Sequence, residues 1–534
     1  MGMLHTLGHR GGAASVQQQR DLISLQLHDK THKWKYDWTS GCVSGAIYNP
    51  VSADLNQLIS DVYGLSAWTN PLHADVFPGI RKMEAEVVRM CCDLFHGGPQ
   101  SCGTSLYASV NEHGKYDWTS GCVSGAIYNP VSADLNQLIS DVYGLSAWTN
   151  PLHADVFPGI RKMEAEVVRM CCDLFHGGPQ SCGTMTTGGT ESIVMACKAY
   201  RDRAIHRGIA KPEILAPVTA HAAFDKGAQL LGIRIKHVPI DPVTMRVDIK
   251  AMKRMITRNT CMLVGSAPGF AHGVIDPIAE ISALGEAWGV PVHVDACLGG
   301  FLIPFMEEAG YPLPLFDFRL PGVCSISCDT HKYGFAPKGS SVVLYRHRQY
   351  RHHQFFAQPD WPGGIYATPT IAGSRAGGLI ATCWAALVHF GRDGYVKSTK
   401  AIIDIAKHVE QKCREIPSLE VIGCPEVSIV AFTSKKFNIY SLADKMQKRG
   451  WYLDSLQHPS CIHFTAAMAH TLPGVVDKFV SDLKEAAEEM CQAPPSETEG
   501  SAALYGTLHS IHDRSIINEM TNAYLDVTYD TGSS

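Results

Sequence analysis

Nowhere in the chain do eighteen consecutive apolar residues occur, so it contains no evident membrane-spanning helix. Its first twenty residues, MGMLHTLGHRGGAASVQQQR, hold no apolar h-region, and a secretory leader is not expected. None of the 18 cysteines falls in a paired C-x-x-C pattern. That removes the common zinc spacing, and no metal site is expected. Without a secretory signal, reduced thiols in a cytosolic setting fit better than a disulfide framework. Charge of one sign is also lacking. The 46 Lys and Arg against 51 Asp and Glu give a net charge of -5, not the basic excess of a nucleic-acid binder. What remains is ordinary globular composition, 45% hydrophobic over 534 residues, enough for a large core in two or more domains. Gly2 to Thr6 matches a loose myristoylation pattern, and residues 1–34, poor in aromatics, read otherwise as a disordered tail.

The chain repeats itself. Lys35 to Thr104 recurs residue for residue as Lys115 to Thr184, with Ser105 to Gly114 between the copies. Solenoid units diverge and usually number three or more, so two identical copies point to a recent exon duplication or an artefact of sequence assembly. A single core has one slot for this segment. The second copy, 115–184, runs directly into Met185-Thr-Thr-Gly-Gly-Thr190 and is expected to fill that slot and contribute to the functional site. Residues 35–114, the first copy and its joint, are expected to form a poorly packed insertion.

From Thr190 onward helices and strands alternate. An Ala-rich helix over Glu191 to Gly208, capped by Thr190, is followed by β-rich runs at Ile214–Val218, Ile233–Ile240, Cys261–Ser266, Val290–Asp295, Val323–Cys328 and Ser341–Tyr345. A helical stretch at Ile275–Trp288 lies among them. This order predicts an α/β fold: a large domain over 185–385 with a mostly parallel sheet covered on both faces. A helical pattern from Thr382 to Gln411 leads into a smaller α+β domain over 386–491, then a linker and tail over 492–534.

Four features could carry chemistry. Thr187-Gly188-Gly189-Thr190 is a glycine turn entering a helix, where bare N–H groups can hold a phosphate; a plain capped helix is the alternative. Asp295 ends the apolar run of His293-Val-Asp295-Ala-Cys297, placed to hold a pyridinium nitrogen charged or merely to cap the next turn. Lys332, in Ser327-Cys-Asp-Thr-His331-Lys332-Tyr-Gly334, also follows a strand, where its amine could form a Schiff base with a cofactor aldehyde rather than sit in solvent. His221 follows the run Ile214–Val218 and could stack on a cofactor ring or be a core histidine.

The runs carrying these residues, among them HADVFPGIRKMEAEVVRM, TTGGTESIVMACKAYRDRA, VHVDACLGGFLIPFM, SCDTHKYGFAPKGSSVVLY and DWPGGIYATPTIAGSRAGG, resemble the animal sphingosine-1-phosphate lyase family from about residue 36 to 530, the extra copy aside. That family belongs with the group II decarboxylase-like enzymes. The resemblance implies pyridoxal phosphate (PLP), the fold type I (aspartate aminotransferase-like) architecture, a homodimer with shared active sites, and retro-aldol cleavage of phosphorylated sphingoid bases to a long-chain aldehyde and phosphoethanolamine. Residue by residue it implies Lys332 as the cofactor lysine, Asp295 as the pyridinium partner and His221 as the stacking histidine. Gly188, Gly189 and Thr190 become the phosphate turn, with His331, Cys297 and Ser374 in cofactor-binding segments. Lys338 becomes a second active-site lysine, and Tyr128, His153 and Tyr505 line the substrate side. Tyr48 and His73 are identical twins of Tyr128 and His153, and only connectivity favours the second copy. Animal members carry a membrane helix ahead of the catalytic part, which implies a cytosol-facing position at the endoplasmic reticulum; without that helix the chain reads as cytoplasmic, meeting membrane through its substrate. The rival readings are a PLP-dependent amino-acid decarboxylase, for which no α-carboxylate site stands out, and an inactive product of the duplication.

Overall fold

The computed structural model describes residues 42–48, 52–97, 116–130, 132–492 and 513–528, with single positions at 21, 500, 503, 505, 508 and 511. The expected N-terminal tail, the joint and most of the 492–500 linker lie outside these residues. The described residues form two compact units: residues 1–67, 128–403 and 423–429 in the first, and 68–127, 404–422 and 430–534 in the second.

The first unit is built on seven strands: β1 (Cys182–Thr186), β2 (Glu213–Pro217), β3 (Arg234–Val238), β4 (Thr260–Ser266), β5 (Val292–Asp295), β6 (Val323–Cys328) and β7 (Ser341–Tyr345). Their order is β1-β7-β6-β5-β4-β2-β3. Neighbours from β6 to β3 pair in parallel, while β7 runs antiparallel to both β6 and β1. The mostly parallel sheet expected from the alternating pattern is therefore present. The residues of β4, β5, β6 and β7 are all buried, as both-face coverage requires. Because β7 is antiparallel to both neighbours, β1 points the same way as β5 and β6. The carboxyl ends of β1, β2, β4, β5 and β6 thus share one edge, where α/β proteins bind ligands.

In chain order the helices that matter are α1 (Ala53–Ser66), α2 (Pro78–Leu94), α3 (Ala133–Ser146), α4 (Pro158–Leu174) and α5 (Gly189–His206). α1 and α2 are the duplicates of α3 and α4. α4 packs on β1 and β7, and α5 lies against β1, β4, β6 and β7. α5 starts two residues before the expected helix, with Gly188 rather than Thr190 at its cap. Glu191 instead closes the turn, accepting the Thr187 N–H at 2.7 Å. The long helix Gly377–Glu415 is broken at Gly391, whose φ of 56° lies in the left-handed region that glycine enters without a Cβ clash.

The identical copies have different surroundings. Leu138 and Val142 are buried, whereas their twins Leu58 and Val62 are 58% and 51% exposed. Met163, Val167, Met170 and Leu174 are buried in α4, and their twins on α2 are exposed. The first copy is nevertheless helical, and Val76 and Phe77 are buried with Tyr116, Val123 and Ile127 in the second unit. The described residues of the first copy are thus helical, with part of them buried and part exposed.

The second unit also departs from the expected boundaries. Its four-stranded sheet, β8 (Glu420–Val421), β9 (Ile429–Thr433), β11 (Cys461–Thr465) and β10 (Asp454–Leu456) in that order, lies with helices Ile439–Lys448 and Val475–Gln492 in the expected small domain. Residues 116–127 join it, rather than staying with the segment 115–184, because Val123 bridges Tyr452 and Ser124 Oγ accepts the Thr465 N–H at 2.7 Å.

Candidate active site

Three chain segments converge at the carboxyl edge of the sheet. β5 ends on Asp295, which is buried; its Oδ1 accepts the Cys297 N–H at 3.0 Å and the Ser327 hydroxyl at 3.2 Å. Behind Asp295 runs a buried chain of hydrogen bonds. Tyr200 Oη donates to Ser325 Oγ at 2.7 Å, Ser325 meets His293 Nδ1 at 2.8 Å, and His293 Nε2 meets Ser327 Oγ at 3.2 Å. Burial pulls the His293 imidazole down to about 4, so it stays neutral and leaves Asp295 without a neighbouring cation from this chain of bonds.

β6 ends on Cys328, and the turn after it carries the lysine. Lys332 Nζ lies 3.0 Å from Asp329 Oδ2, and the Lys332 side chain is 21% exposed. Burial alone would pull the ammonium down, but the Asp329 carboxylate outweighs it and the net displacement is upward. Asp329, penalised by burial, is still held below the usual carboxylate range by the Lys332 ammonium. His331 Nδ1 accepts the Ser340 N–H at 3.2 Å, and burial pushes its imidazole down to about 3. Cys297 is buried; desolvation, with Asp295 and Asp329 beside it, raises its thiol and keeps it protonated.

The glycine turn closes on this cluster from β1. A Cβ on Gly189 would stand 2.8 Å from both Asp329 carboxylate oxygens and 2.9 Å from Cys297 Sγ, and one on Gly188 would meet His331 Cε1 at 3.4 Å. Only glycine lets the start of α5 approach so closely. Further along, Lys338 Nζ sits 5.1 Å from the centre of the Tyr128 ring, and Tyr128 packs edge-on against Tyr333 at 4.9 Å. Burial and the Lys332 charge push Lys338 down to about 7. It is Tyr128 of the second copy that reaches these lysines; Tyr48 is 87% exposed.

Other expected residues are less directly tied in. His221 follows β2 to the same sheet edge and is exposed, with its Nδ1 accepting the Ala223 N–H at 3.1 Å. Ser374 Oγ accepts from Asn150 at 2.9 Å. His153 is half-buried, its carbonyl accepting the N–H groups of Val156 and Phe157. Tyr505 lies in the second unit, stacked on Tyr440 at 4.4 Å with its hydroxyl donating to Ser455 O at 3.3 Å. Sequence reasoning passed over Asp329, although its spacing of three residues before Lys332 in a turn was a usable signal. It also gave no role to Ser325 and Ser327, whose contact with His293 depends on strand register, nor to Tyr200, which donates to Ser325 from α5.

The donor set fits pyridoxal phosphate. The cluster offers an amine for an aldehyde, a buried carboxylate at a strand end for a ring nitrogen, and a side-chain-free turn at a helix start for a phosphate. The pyridoxal-dependent decarboxylase conserved domain matches residues 123–435. The solved glutamate decarboxylase of Lactobacillus brevis superposes with a TM-score of 0.63 at 21% identity, covering 76% of this chain and 98% of that one, a likeness of fold. Fold and site together define a PLP-dependent enzyme of the decarboxylase-like class. The sphingosine-1-phosphate lyase of Drosophila melanogaster is 54% identical over 428 residues, 79% of this chain and 78% of that protein. Sphingosine-1-phosphate lyase 1 of Mus musculus is 48% identical over 84% of this chain and 82% of its own length. The solved sphingosine-1-phosphate lyase of Burkholderia pseudomallei is 43% identical with a TM-score of 0.69, covering 74% of this chain and 91% of that one. The chain belongs to the sphingosine-1-phosphate lyase family.

Proposed function

We propose that this chain cleaves sphingosine 1-phosphate and related phosphorylated sphingoid bases between C2 and C3, giving a long-chain aldehyde and phosphoethanolamine in sphingolipid catabolism. The observation that carries the reading is the Lys332–Asp329–Gly189 cluster beside Asp295, in a chain of this family. Bound PLP supplies the electron sink that such a cleavage needs. In this reading Lys332 holds the cofactor, and Gly188, Gly189 and Thr190 take its phosphate. His221 covers its ring, Asp295 keeps its nitrogen charged, and His331, Cys297 and Ser374 complete the pocket. Tyr128, His153 and Tyr505 face the substrate. A base must take the C3 hydroxyl proton as the bond breaks. Lys338, pushed down to about 7, is the amine available in neutral form near neutral pH.

The resemblance also supports a homodimer with shared sites and work at the cytosolic face of the endoplasmic reticulum. Among the described residues no helix is long and apolar enough to cross a membrane, and contact with one would come through the substrate. The test is product analysis with PLP and sphingosine 1-phosphate. Fatty aldehyde and phosphoethanolamine are expected from the native chain and none from Lys332→Ala of unchanged circular dichroism. Carbon dioxide from an amino acid, with no aldehyde, would move the assignment to a decarboxylase.

A further inference from the structure

A cavity lies at the far edge of the sheet from the lysine cluster. β4 is seven residues long, about 20 Å from end to end, and the active site gathers at the sheet's carboxyl edge. At the amino edge the end of α5, the loop before β4 and the turn from the helix Ile278–Trp288 into β5 enclose about 530 Å³. That is the size of a small-molecule site. All of its lining residues lie in the first unit.

Three guanidiniums line it: Arg203 in the last turn of α5, Arg207 just after that helix, and Arg258 in the loop before β4. Arg207 and Arg258 are exposed and Arg203 is half-buried. Among the described residues none of the three forms an ion pair, and no lining residue is acidic. Glu213 accepts the Thr257 hydroxyl at the cavity wall at 2.8 Å, but it is already neutralised by Lys236 at 2.7 Å and Arg234 at 3.3 Å. Helix C-termini favour basic residues, which alone could account for Arg203 and Arg207. Here the backbone itself satisfies those ends. The carbonyls of Arg203, Ala204 and Ile205 accept the N–H groups of Arg207, Ile209 and Gly208, and those of Gly285 and Glu286 accept the N–H groups of Val290 and Gly289. The arginine side chains are not needed as caps.

The rest of the wall suits a ring. The Trp288 indole lines the same cavity and is 51% exposed, and the buried residues Ile256 and Val290 add apolar surface. Arginine forks bind phosphate in two-pronged geometry, and a flat ring stacks on an indole. A bare anion would leave the indole and the apolar wall uncovered. An uncharged ring would leave the guanidiniums unanswered.

We propose that this cavity is a second binding site, for a phosphate ester that carries a flat ring, with Arg207 and Arg258 on the phosphate and Trp288 against the ring. Nucleotides and pyridoxine phosphates share that chemistry. The site is separate from the residues that hold the cofactor, so its variants should leave cofactor absorbance and product formation unchanged.

Calorimetry on the PLP-loaded full chain tests the proposal with ADP, with pyridoxine 5′-phosphate, which lacks the aldehyde that reacts with lysine, and with inorganic pyrophosphate. One ring-bearing probe per chain is expected, held more tightly than pyrophosphate; the tighter of ADP and pyridoxine 5′-phosphate tells which kind of ester the site prefers. Arg207→Gln together with Arg258→Gln should weaken that probe by about tenfold or more. Arg203 is left in place because it also lies 5.2 Å over the Tyr350 ring. Trp288→Ala should weaken the ring-bearing probe and leave pyrophosphate unchanged. Phenylglyoxal, which modifies arginine, reads the site independently: the bound probe should protect Arg207 and Arg258 in peptide maps and leave arginines outside the cavity reactive. No heat from any probe at millimolar concentration would overturn the site. So would equal binding of all three probes, or binding that the arginine pair does not change, since neither the ring nor the phosphate would then be read at this cavity.

Discussion

Lys332 and Lys338 share one loop, yet their surroundings drive them in opposite directions. Lys332 has the Asp329 carboxylate at 3.0 Å, which outweighs burial and holds the proton on. Lys338 has burial and the Lys332 charge against it and an aromatic face beside it, and it falls to about 7. A group near 7 is about three quarters neutral at pH 7.5, whereas an ordinary lysine near 10.4 is neutral about once in a thousand. Cyanate at pH 7.5 therefore carbamylates Lys338 well ahead of surface lysines, with Lys332 lagging, as peptide mass mapping reads directly. Lowering the pH through 7 should slow Lys338 labelling in step with its protonation. Equal labelling of all three classes would mean that Lys338 is not desolvated by its neighbours. Asp295 is held differently, by one N–H, one hydroxyl and the neutral His293 behind it. Asp295→Asn keeps hydrogen-bonding capacity but not the charge. It should retain cofactor absorbance while turnover falls by orders of magnitude; a near-native rate would reduce Asp295 to a turn cap.

At the scale of elements, the turn between β1 and α5 makes the sharpest demand. An alanine at 189 would press its methyl onto Asp329, which Lys332 holds in place, and onto the buried Cys297 sulfur. Overpacking of this kind costs about 1–3 kcal/mol. If the turn shifts to relieve about 1.4 kcal/mol of it, cofactor affinity falls about tenfold. Titration of PLP absorbance on Gly189→Ala measures this, with Gly79→Ala as control because nothing lies within 4 Å of a Cβ there. Affinity equal to native would show that the turn does not need its glycine. The elements around this turn were largely legible beforehand. β6 and β7 match the expected runs to the residue, and β2 and β4 differ by one, because buried β-branched runs bounded by turn residues have few other readings. β1 was not anticipated, since Cys182–Thr186 holds a glycine and no branched aliphatic residue; its pairing with β7 makes it a strand. Strand direction was not legible at β7 either, and neither were the contacts that depend on register, such as the path from Ser325 to Asp295.

For the whole molecule, the duplication offers a control that few chains contain: the same residues in two environments. Val167 and Leu174 of α4 are buried, while Val87 and Leu94 of α2 are 55% and 72% exposed. Local sequence is identical, so helix propensity, capping and the unfolded-state contribution cancel to first order, and only tertiary surroundings differ. Lysine at Val87 and Leu94 replaces exposed apolar surface with charge and should raise soluble yield while leaving PLP absorbance and turnover unchanged. The same pair at Val167 and Leu174 buries two ammonium groups against β1 and β7, at a cost of several kcal/mol against a total stability of about 5–15 kcal/mol. That variant should be insoluble or lack cofactor. Thermal melts, soluble fraction and the PLP band on both double variants check the pair of outcomes together. Equal damage from both would mean that α2 and α4 are equally buried in solution, with the exposed face of α2 covered by a second chain. Damage from the first-copy pair alone would mean that the first repeat, not the second, fills the core beside the sheet, and the cofactor machinery would then be served by a segment reaching across from residues 78–94.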